Sequence, residues 1–391
     1  MPQFRTVFLI ASSFITSQVC AQDAPPALAP EPLGIIETLP AQYPENWFIV
    51  HDASFFHMSD GKVYILDVTA KTLGEQFKGM FNSSLIGNLA QSPARGEIYS
   101  TETFHTRGQR GDRIDLLTIW DSATLSPVGE VMLPKGKRFM GIPQRNAVTL
   151  INDGKWLAIA NFSPATSATI VDLDSREILS EVGTPGCVMT YPTGPRGFSA
   201  LCPDGRFFST QLAEDGSVAQ QERSEVFFDS DTTPIFDRAA TIDGIAYFPS
   251  FAGLIHPVDL RGAVASVGEA WPMATGEEAA ENWAPSGVAI IDKDDLGRFY
   301  LLMHSGAADG THGGGGPEVW VFDPATKSRV QRIALQSWGL SIAVSRGSEP
   351  LLLVTNPEAM SLEVYDARSG EFQQTITGFG QETPLLATGA Q

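Results

Sequence analysis

The most regular feature of the chain is a strand–turn–strand pattern that recurs about every 50 residues. Each copy is a short apolar run that ends in aspartate, then a polar turn and a second, half-polar run, as in "EVWVFDPATKSRVQRI". The aspartates that end these runs are Asp67, Asp121, Asp172, Asp259, Asp323 and Asp366. The interval from Asp172 to Asp259 is too long for one unit, and it holds a further copy without an aspartate in register, "GRFFSTQLAEDGSVAQQ". The pattern therefore predicts seven units.

A second apolar run precedes most of these hairpins, usually after a glycine, as in "GEIYSTETF", "GKWLAIANF", "GIAYFPSF" and "GRFYLLMH". Each unit thus has about four short strands, a repeat typical of a β-propeller, because one small sheet buries its faces only against neighbouring sheets. We therefore predict an all-β fold, a seven-bladed β-propeller of four-stranded blades. The recurring aspartate is interpreted as a turn cap that bonds the backbone two residues on, rather than as a catalytic group.

The glycine-rich stretch "DGTHGGGGPEVWVFD" lies between two predicted strands, with His312 beside its four glycines. A phosphate-binding loop needs a helix after its glycines and the pattern G-x-x-x-x-G-K-[ST], and the sequence indicates neither. We predict an extended inter-strand loop on one rim of the propeller, flanked by His304 and His312. Functional groups often lie on such loops, but lone loop histidines are more often solvated than catalytic, so both are interpreted as solvated and a functional role is the alternative. No H-x-H, H-E-x-x-H, C-x-x-C or G-x-S-x-G spacing occurs, so we predict no metal site and no catalytic residue in this chain. A metal site assembled from several blades stays open as an alternative.

The two ends of the chain differ from the repeat. Residues 1–21 predict a signal peptide, because Arg5 precedes a short apolar run and small residues precede cleavage after Ala21. A buried first strand and a lipoprotein anchored at Cys20 are the alternatives. Residues 22–44 are rich in proline and alanine and predict a tether, which leaves 45–391 as a single propeller. No later segment has 18 consecutive apolar residues, so no membrane span is expected.

The charge is strongly acidic, with 26 basic and 45 acidic side chains and a net charge of −19. This balance argues against nucleic acid and anionic lipid as partners. Against that background, "FHTRGQRGDRID" crowds Arg107, Arg110 and Arg113 beside Asp112 and Asp115. Two interpretations remain: a salt-bridged loop joining two blade strands, or a contact surface for an acidic partner or a second copy of the chain.

Two cysteines remain after the predicted cleavage, Cys187 and Cys202. Between them, "CVMTYPTGPRGFSALC" has Gly194-Pro195 at its midpoint, a turn signal between two apolar runs. A hairpin folded there places the cysteines opposite each other on neighbouring strands, within reach of disulfide geometry. An exported chain favours the disulfide, and two buried free thiols are the alternative.

Several stretches together resemble one family, the heavy subunit of the quinoprotein amine dehydrogenases, which act on methylamine or aromatic amines. They include "RGQRGDRIDLLTIWDSATLSP", "CVMTYP", "LIHPVDL", "GRFYLLMH", "THGGGGPEVWVFDPAT" and "LEVYDARSGE", in order from about residue 45 to 385. The resemblance implies a periplasmic propeller, two copies of which pair with two small subunits. It implies that the small subunit carries tryptophan tryptophylquinone and the catalytic base, and that this chain holds no cofactor. Amine would be oxidised to aldehyde and ammonia, and electrons would pass to a cupredoxin or cytochrome c.

One heavy-subunit position has a functional role in that family, a phenylalanine four residues after an aspartate near the first strand, which lines the substrate channel. In "VHDASFFHMSDG" it matches Phe56, counted from Asp52, and Phe55 is one residue away. Plain core packing is the alternative role for Phe56. The family often has a basic residue after the loop histidine, whereas Gly313 follows His312 here, which weakens a role for His312. The alternative function is a free-standing periplasmic propeller, either a lactonase-like hydrolase or a binding or sensing module.

Overall fold

The strands form seven antiparallel sheets, and each sheet is one blade of a β-propeller. The structure is a computed structural model that describes residues 38–53, 60–139, 141–380 and 383–390. The predicted fold, a seven-bladed propeller of four-stranded blades, is confirmed. The predicted signal peptide of residues 1–21 lies outside the described residues, as does most of the predicted tether.

Three blades come first along the chain. They contain β1 (Trp47–Ala53), β2 (Gly61–Asp67) and β3 (Phe77–Ser83) in blade 1; β4 (Asn88–Ser92), β5 (Glu97–Arg107), β6 (Arg110–Asp121) and β7 (Pro127–Met132) in blade 2; and β8 (Val148–Ile151), β9 (Trp156–Asn161), β10 (Ser167–Asp172) and β11 (Glu177–Gly183) in blade 3.

Four further blades follow. They contain β12 (Val188–Thr193), β13 (Gly197–Leu201), β14 (Phe207–Leu212) and β15 (Val218–Arg223) in blade 4; β16 (Ala240–Ile242), β17 (Ile245–Pro249), β18 (Leu254–Asp259), β19 (Ser266–Val267) and β20 (Trp271–Pro272) in blade 5; β21 (Ala284–Pro285), β22 (Ile291–Lys293), β23 (Phe299–His304), β24 (Gly316–Asp323) and β25 (Ser328–Gly339) in blade 6; and β26 (Ser341–Val344), β27 (Leu351–Asn356), β28 (Ser361–Asp366) and β29 (Phe372–Thr377) in blade 7. The outer strand of blade 5 is split into β19 and β20, and the inner strand of blade 6 into β21 and β22.

Helical structure within the described residues is limited to short turns. These are α1 (Leu73–Gln76), α2 (Glu277–Ala280) and two 3-10 turns, Arg145–Ala147 and Thr311–Gly313. A helix would have to be far longer and more apolar than any of these to span a membrane.

The ring is closed by strands from the two ends of the chain. The last strand, β30 (Pro384–Gly389), is the inner strand of blade 1 and pairs antiparallel with β1. The register joins Phe48 to Gly389 and His51 to Leu386. The strand "NWFIVHD" near the start of the described residues thus pairs with the segment after Asp366, and the blade that they close is blade 1. Because blade 1 needs both ends of the chain, the ring forms only when the whole repeat array is present.

The core is divided among the blade interfaces. Seven apolar clusters each join two neighbouring blades, and together they go once around the ring. Between blades 5 and 6, for example, the Phe299 ring stacks on Tyr247 at 5.3 Å and on Phe322 at 5.2 Å. Strands in the middle of a blade are buried on both faces, which is why their sequences are continuous apolar runs rather than alternating ones.

The recurring aspartates cap the turns that follow the third strand of each blade. Each carboxylate accepts a hydrogen bond from the backbone N–H two residues on, at 2.9–3.1 Å. The N–H groups donate in these pairs: Thr69 to Asp67, Ala123 to Asp121, Asp174 to Asp172, Arg261 to Asp259, Ala325 to Asp323 and Arg368 to Asp366. In blade 4 the displaced Asp215 takes the same role, accepting from the N–H of Ser217 at 3.0 Å. The turn-cap interpretation is confirmed.

The cysteine hairpin also forms as predicted. Strands β12 and β13 pair from Val188–Leu201 to Thr193–Gly197, with the turn at Gly194 and Pro195. Gly194 has a positive φ of 61°, which glycine adopts without strain. Cys187 directly precedes Val188 and Cys202 directly follows Leu201, so the two cysteines lie at the open end of the hairpin, where they form a disulfide.

The ring has two faces, which we call upper and lower. On the upper face the second strand of each blade turns into the third, and the outer strand leads into the next blade. The turns between second and third strands there include residues 108–109, 162–166, 202–206, 250–253, 305–315 and 357–360. The lower face carries the aspartate-capped turns. Since all blades share one strand order, the sequence motifs between second and third strands all come to the upper face.

Candidate partner-binding face

The arginine motif is a projecting hairpin rather than a loop. Strands β5 and β6 are 11 and 12 residues long and remain paired to Arg107 and Arg110 at the tip. Gly108, with a φ of 68°, and Gln109 form the two-residue turn. The tip residues are exposed, so blade 2 extends a two-stranded β-ribbon beyond the rest of the upper face.

The charges of the motif are only partly neutralised by their neighbours. Arg113 forms an ion pair with the buried carboxylate of Asp115 at 2.9 Å. Within the described ranges, neither Arg107 nor Arg110 has a carboxylate at ion-pair distance. Asp112 lies 3.9 Å from the Lys135 ammonium. Of the three arginines only Arg113 thus fits the salt-bridged-loop interpretation, and the tip of an acidic protein presents two guanidinium groups to solvent.

A buried polar network fixes the base of this hairpin. Asp115 accepts hydrogen bonds from the Thr103 hydroxyl at 2.5 Å and the Gly136 N–H at 2.6 Å. Arg138 is buried and donates to the Thr103 hydroxyl at 2.9 Å and to the Ile86 carbonyl at 2.8 Å. Burial lowers the pKa of Arg138 to about 10, partly opposed by the Asp115 charge, so its guanidinium stays protonated at neutral pH. A satisfied buried network of this kind makes the base of the hairpin rigid.

Exposed aromatic side chains also gather on the upper face. Of the four exposed phenylalanine and tryptophan side chains in the described residues, Phe104, Phe162 and Trp338 lie there, and only Phe372 lies elsewhere. Phe162 is 54% exposed and Trp338 is 52% exposed. Phe162 packs edge-on against Phe139, so it is held in place although it is exposed. Aromatic and arginine side chains are enriched in protein interfaces, so this face suits a protein partner.

The glycine-rich loop is an inter-strand loop on the upper face, as predicted, but it is not extended. Residues Thr311–Gly313 form a 3-10 turn, and the Gly315 N–H donates to the Ser286 hydroxyl at 3.0 Å. A Cβ on Gly315 would lie only 1.9 Å from the Gly339 carbonyl oxygen, so close packing explains this glycine. Strand β24 follows directly, and there is no helix to cradle a phosphate.

The two loop histidines differ in their surroundings. His304 is buried, and its Nδ1 lies 3.0 Å from the Ser305 carbonyl, so the prediction that it is solvated is wrong. It is buried because it still belongs to β23. His312 is exposed, and its ring lies nearly perpendicular to that of Phe251, with 6.3 Å between the ring centroids.

A cavity of about 510 Å³ opens beside His312. Phe236 and Phe251 give it an apolar floor, and Asp237 and Asp309 bring carboxylates to its rim. No group of three or more His, Cys, Asp or Glu side chains suited to a metal ion occurs in the ranges that the structure describes.

Phe55 and Phe56 lie outside the described residues, and their predicted role stays a prediction. The strands that flank them, β1 and β2, end and begin at the upper face. Asp52, three residues before Phe55, is buried and accepts a hydrogen bond from the Thr383 N–H at 2.5 Å. This bond fixes the end of β1 to the segment that precedes β30.

The fold and this face define a β-propeller with one surface suited to binding another protein. The chain belongs to the methylamine dehydrogenase heavy chain family, whose model matches residues 46–390. It is 25% identical to the methylamine dehydrogenase heavy chain of Methylophilus methylotrophus over 340 residues, which are 86% of this chain and 82% of that one. It is 29% identical to the heavy chain of Paracoccus versutus over 290 residues, 73% of this chain and 67% of that one.

Solved propellers share the architecture at much lower identity. The periplasmic gluconolactonase of Pseudomonas aeruginosa superposes with a TM-score of 0.58 at 16% identity, covering 87% of this chain and 98% of that one. A putative 6-phosphogluconolactonase of Bacteroides fragilis gives the same TM-score at 12% identity, covering 91% and 99%. These similarities show the fold alone and do not favour the lactonase alternative.

Proposed function

We propose that this chain is the large scaffold subunit of a periplasmic amine dehydrogenase and that it holds a small quinone-bearing subunit against its upper face. Membership of the heavy chain family supports a subunit role. The observation that carries the choice of surface is that the exposed Arg107 and Arg110 lie on the same face of the ring as the exposed rings of Phe104, Phe162 and Trp338. The tryptophan tryptophylquinone of the small subunit would supply the oxidation of primary amines to aldehyde and ammonia. A cupredoxin or cytochrome c would accept the electrons.

In this proposal the residues of the chain bind and orient rather than react. Arg107 and Arg110 reach carboxylates of the small subunit, and the rigid base of the hairpin limits the entropy lost when they do so. The exposed aromatic rings bury apolar area against the partner. Phe56 narrows the path to the quinone and thereby selects amines by size.

The test is co-purification of the two subunits from cells that express both. An affinity tag on this chain should retain the small, cysteine-rich subunit encoded in the same genome. Reversing the charge of the hairpin, with Arg107→Glu and Arg110→Glu together, should weaken the complex at least tenfold, because like charges at a contact repel. Arg368→Glu is the control, since it makes a single Arg→Glu change in an exposed turn of the lower face, to be compared with Arg107→Glu and Arg110→Glu one at a time as well as together.

Two outcomes would count against the proposal. If the unmodified chain is purified without the small subunit, the scaffold role fails. If the hairpin variant and the Arg368 variant bind the small subunit equally well, the subunit role survives but the hairpin is not a contact.

A further inference from the structure

The cavity beside His312 lies at the upper face, on the side of the ring formed by blades 5 and 6. Its walls come from the link into blade 5 at residues 234–238, from the turn at Phe251 and from the loop that carries Asp309 and His312. Sites for small organic molecules have volumes of about 300–1,000 Å³. The volume here is about 510 Å³, so the cavity is large enough for such a ligand.

Backbone hydrogen bonds hold the walls of this cavity in place. The Phe251 N–H donates to the Pro234 carbonyl at 3.0 Å, which ties the turn of blade 5 to the link that precedes this blade. In the loop of blade 6, the His312 carbonyl accepts from the Gly287 N–H at 3.0 Å. A recess whose walls are already fixed loses little conformational freedom when a ligand enters it.

Aromatic rings supply much of the apolar lining. The ring centroid of Phe251 lies 6.3 Å from that of Phe236 and 6.3 Å from that of His312. Pro234 and Ile235 add further apolar surface. The face of a phenylalanine ring attracts an organic cation within about 6 Å of its centroid. This lining therefore suits a cation that has an apolar tail.

The charged side chains of the lining leave one carboxylate without a cationic partner. Asp237 and Arg238 form an ion pair at 2.7 Å and neutralise each other. Asp309 is exposed, and no Lys or Arg side chain in the described part of the chain lies at ion-pair distance from it. With two carboxylates and one guanidinium, the lining carries one net negative charge, which favours a cation over an anion.

We propose that this cavity binds a primary arylalkylammonium ion. The aryl group packs on Phe236 and Phe251, because aromatic rings pair favourably edge-on or offset, and the ammonium group lies at the Asp309 carboxylate. A neutral molecule of the same shape would lack the attraction of the carboxylate, and an anion would be repelled. This site goes beyond the proposed amine oxidation, because binding here requires neither the quinone nor the small subunit.

Isothermal titration calorimetry of the mature chain without the small subunit is the direct test. The ion 2-phenylethylammonium should bind at one site with a dissociation constant on the order of 1 mM or below. The neutral molecule of the same shape, 2-phenylethanol, should bind about 3- to 30-fold more weakly, since it lacks both the ion pair and the cation–π contact. Equal or tighter binding of 2-phenylethanol, or no binding of the ammonium ion, would overturn the proposal.

Variants locate the site. Asp309→Asn keeps the shape of the side chain and removes its charge, so it should weaken binding of the ammonium ion about two- to fivefold and leave that of 2-phenylethanol unchanged. Phe251→Leu should weaken both ligands, because it removes a ring that each of them contacts. Glu358→Gln is the matched control, since it makes the same acid-to-amide change in an exposed turn of the upper face outside the lining, and it should change neither. Equal effects of Asp309→Asn and Glu358→Gln would contradict a site at Asp309.

This test and the co-purification test can fail separately. The titration contains no small subunit, so a negative result leaves the scaffold role intact, and a failure of co-purification leaves the ammonium site intact. One combined outcome identifies a different occupant. If Asp309→Asn weakens retention of the small subunit while the chain alone binds no 2-phenylethylammonium, the cavity receives a cationic side chain of the partner and the proposal is wrong.

Discussion

At the scale of single residues, the burial of His51 without hydrogen-bond partners in the described part of the protein lowers the stability of the folded chain. His51 lies in β1 between β2 and β30, fully buried, and neither ring nitrogen has a hydrogen-bond partner in the described part of the protein. Burial lowers its pKa from 6.5 to about 4. The imidazole is therefore neutral in the folded chain at neutral pH, whereas it takes up a proton in the unfolded chain once the pH falls below 6.5.

This difference predicts a pH dependence of stability. Between pH 6.5 and 4 the unfolded chain binds a proton that the folded chain does not, so the free energy of unfolding should fall by up to about 3 kcal/mol on acidification. His51→Leu should remove that part of the slope, and urea unfolding at several pH values measures it. His105→Leu, a change at a half-buried histidine on the projecting hairpin, is the control. An unchanged slope in His51→Leu would show that other groups cause the acid sensitivity.

Phe56 is predicted to act by excluding volume from the substrate path. In the assembled enzyme, Phe56→Ala should change the ratio of kcat/KM between a small and a bulky amine by roughly 10- to 200-fold. The rate of quinone reduction by the best-fitting amine should change much less, because no reacting atom is removed. Phe55→Ala is the control for register. An effect in Phe55→Ala alone would move the assignment by one residue, and no effect in either would assign both rings to the core.

Local chemistry explains which single residues could be predicted. The aspartate caps depend on only two or three neighbouring residues, so a repeated Asp followed by a polar turn is enough to predict them. His51 is buried between β2 and β30, and Arg138 donates to Thr103 and Ile86, so the segments that surround both residues are distant in sequence or formed only by the closed ring. Nothing in their immediate sequence indicates burial. Trp338 and Phe162 follow strand ends in "QSWG" and "NFSP", and a search for aromatic residues at those positions would have found them.

At the scale of elements, the aspartate hairpins and the apolar strand before each could be predicted from the sequence, whereas one connection could not. The crowded charges of "FHTRGQRGDRID" favour a salt-bridged loop, whereas its backbone continues the β5–β6 ladder to Arg107 and Arg110. Ladder hydrogen bonds do not require apolar side chains when both faces of a ribbon are solvated. The signal for a hairpin was present in the centred, glycine-containing turn of Gly108 and Gln109.

The disulfide also acts at the scale of elements, because it links the two strands of one hairpin in blade 4. Chain-entropy arguments give roughly 3 kcal/mol for closing a loop of this length, so Cys187→Ala with Cys202→Ala should lower the free energy of unfolding by about that amount. Urea unfolding with the bond intact and broken measures it. Reduction of the unmodified chain should give a similar loss and serves as the control. A double variant as stable as the unmodified chain would mean that the bond constrains little in the unfolded state.

At the scale of the whole molecule, the repeat count was predictable because each blade repeats one hydrophobic pattern, and the closure followed from it. Interactions across the ring were not predictable. Arg145 reaches carbonyls of Ile291, Ile342 and Ala387 in three blades, and its sequence context, "PQRNAV", shows no periodicity that would place it there. Such contacts depend on the geometry of the closed ring rather than on any local pattern.

Arg145 is therefore expected to hold the closed ring together. Arg145→Met keeps the length of the side chain but removes the three cross-ring hydrogen bonds and one partner of Asp292, so the free energy of unfolding should fall by about 3–5 kcal/mol. Arg368→Met, in an exposed turn, should change it by less than about 0.5 kcal/mol. Thermal and urea unfolding measure both. A loss below 1 kcal/mol in Arg145→Met would show that the inner strands close the ring unaided.

The central claim is that this chain is a scaffold whose activity depends on a second subunit. The most direct measurement is amine-dependent reduction of an artificial electron acceptor by the purified mature chain, by the small subunit and by the two together. We predict no turnover and no visible quinone absorbance for this chain alone, and turnover of primary amine by the reconstituted pair. Amine oxidation by the isolated chain, or a small subunit that is equally active without it, would contradict the account.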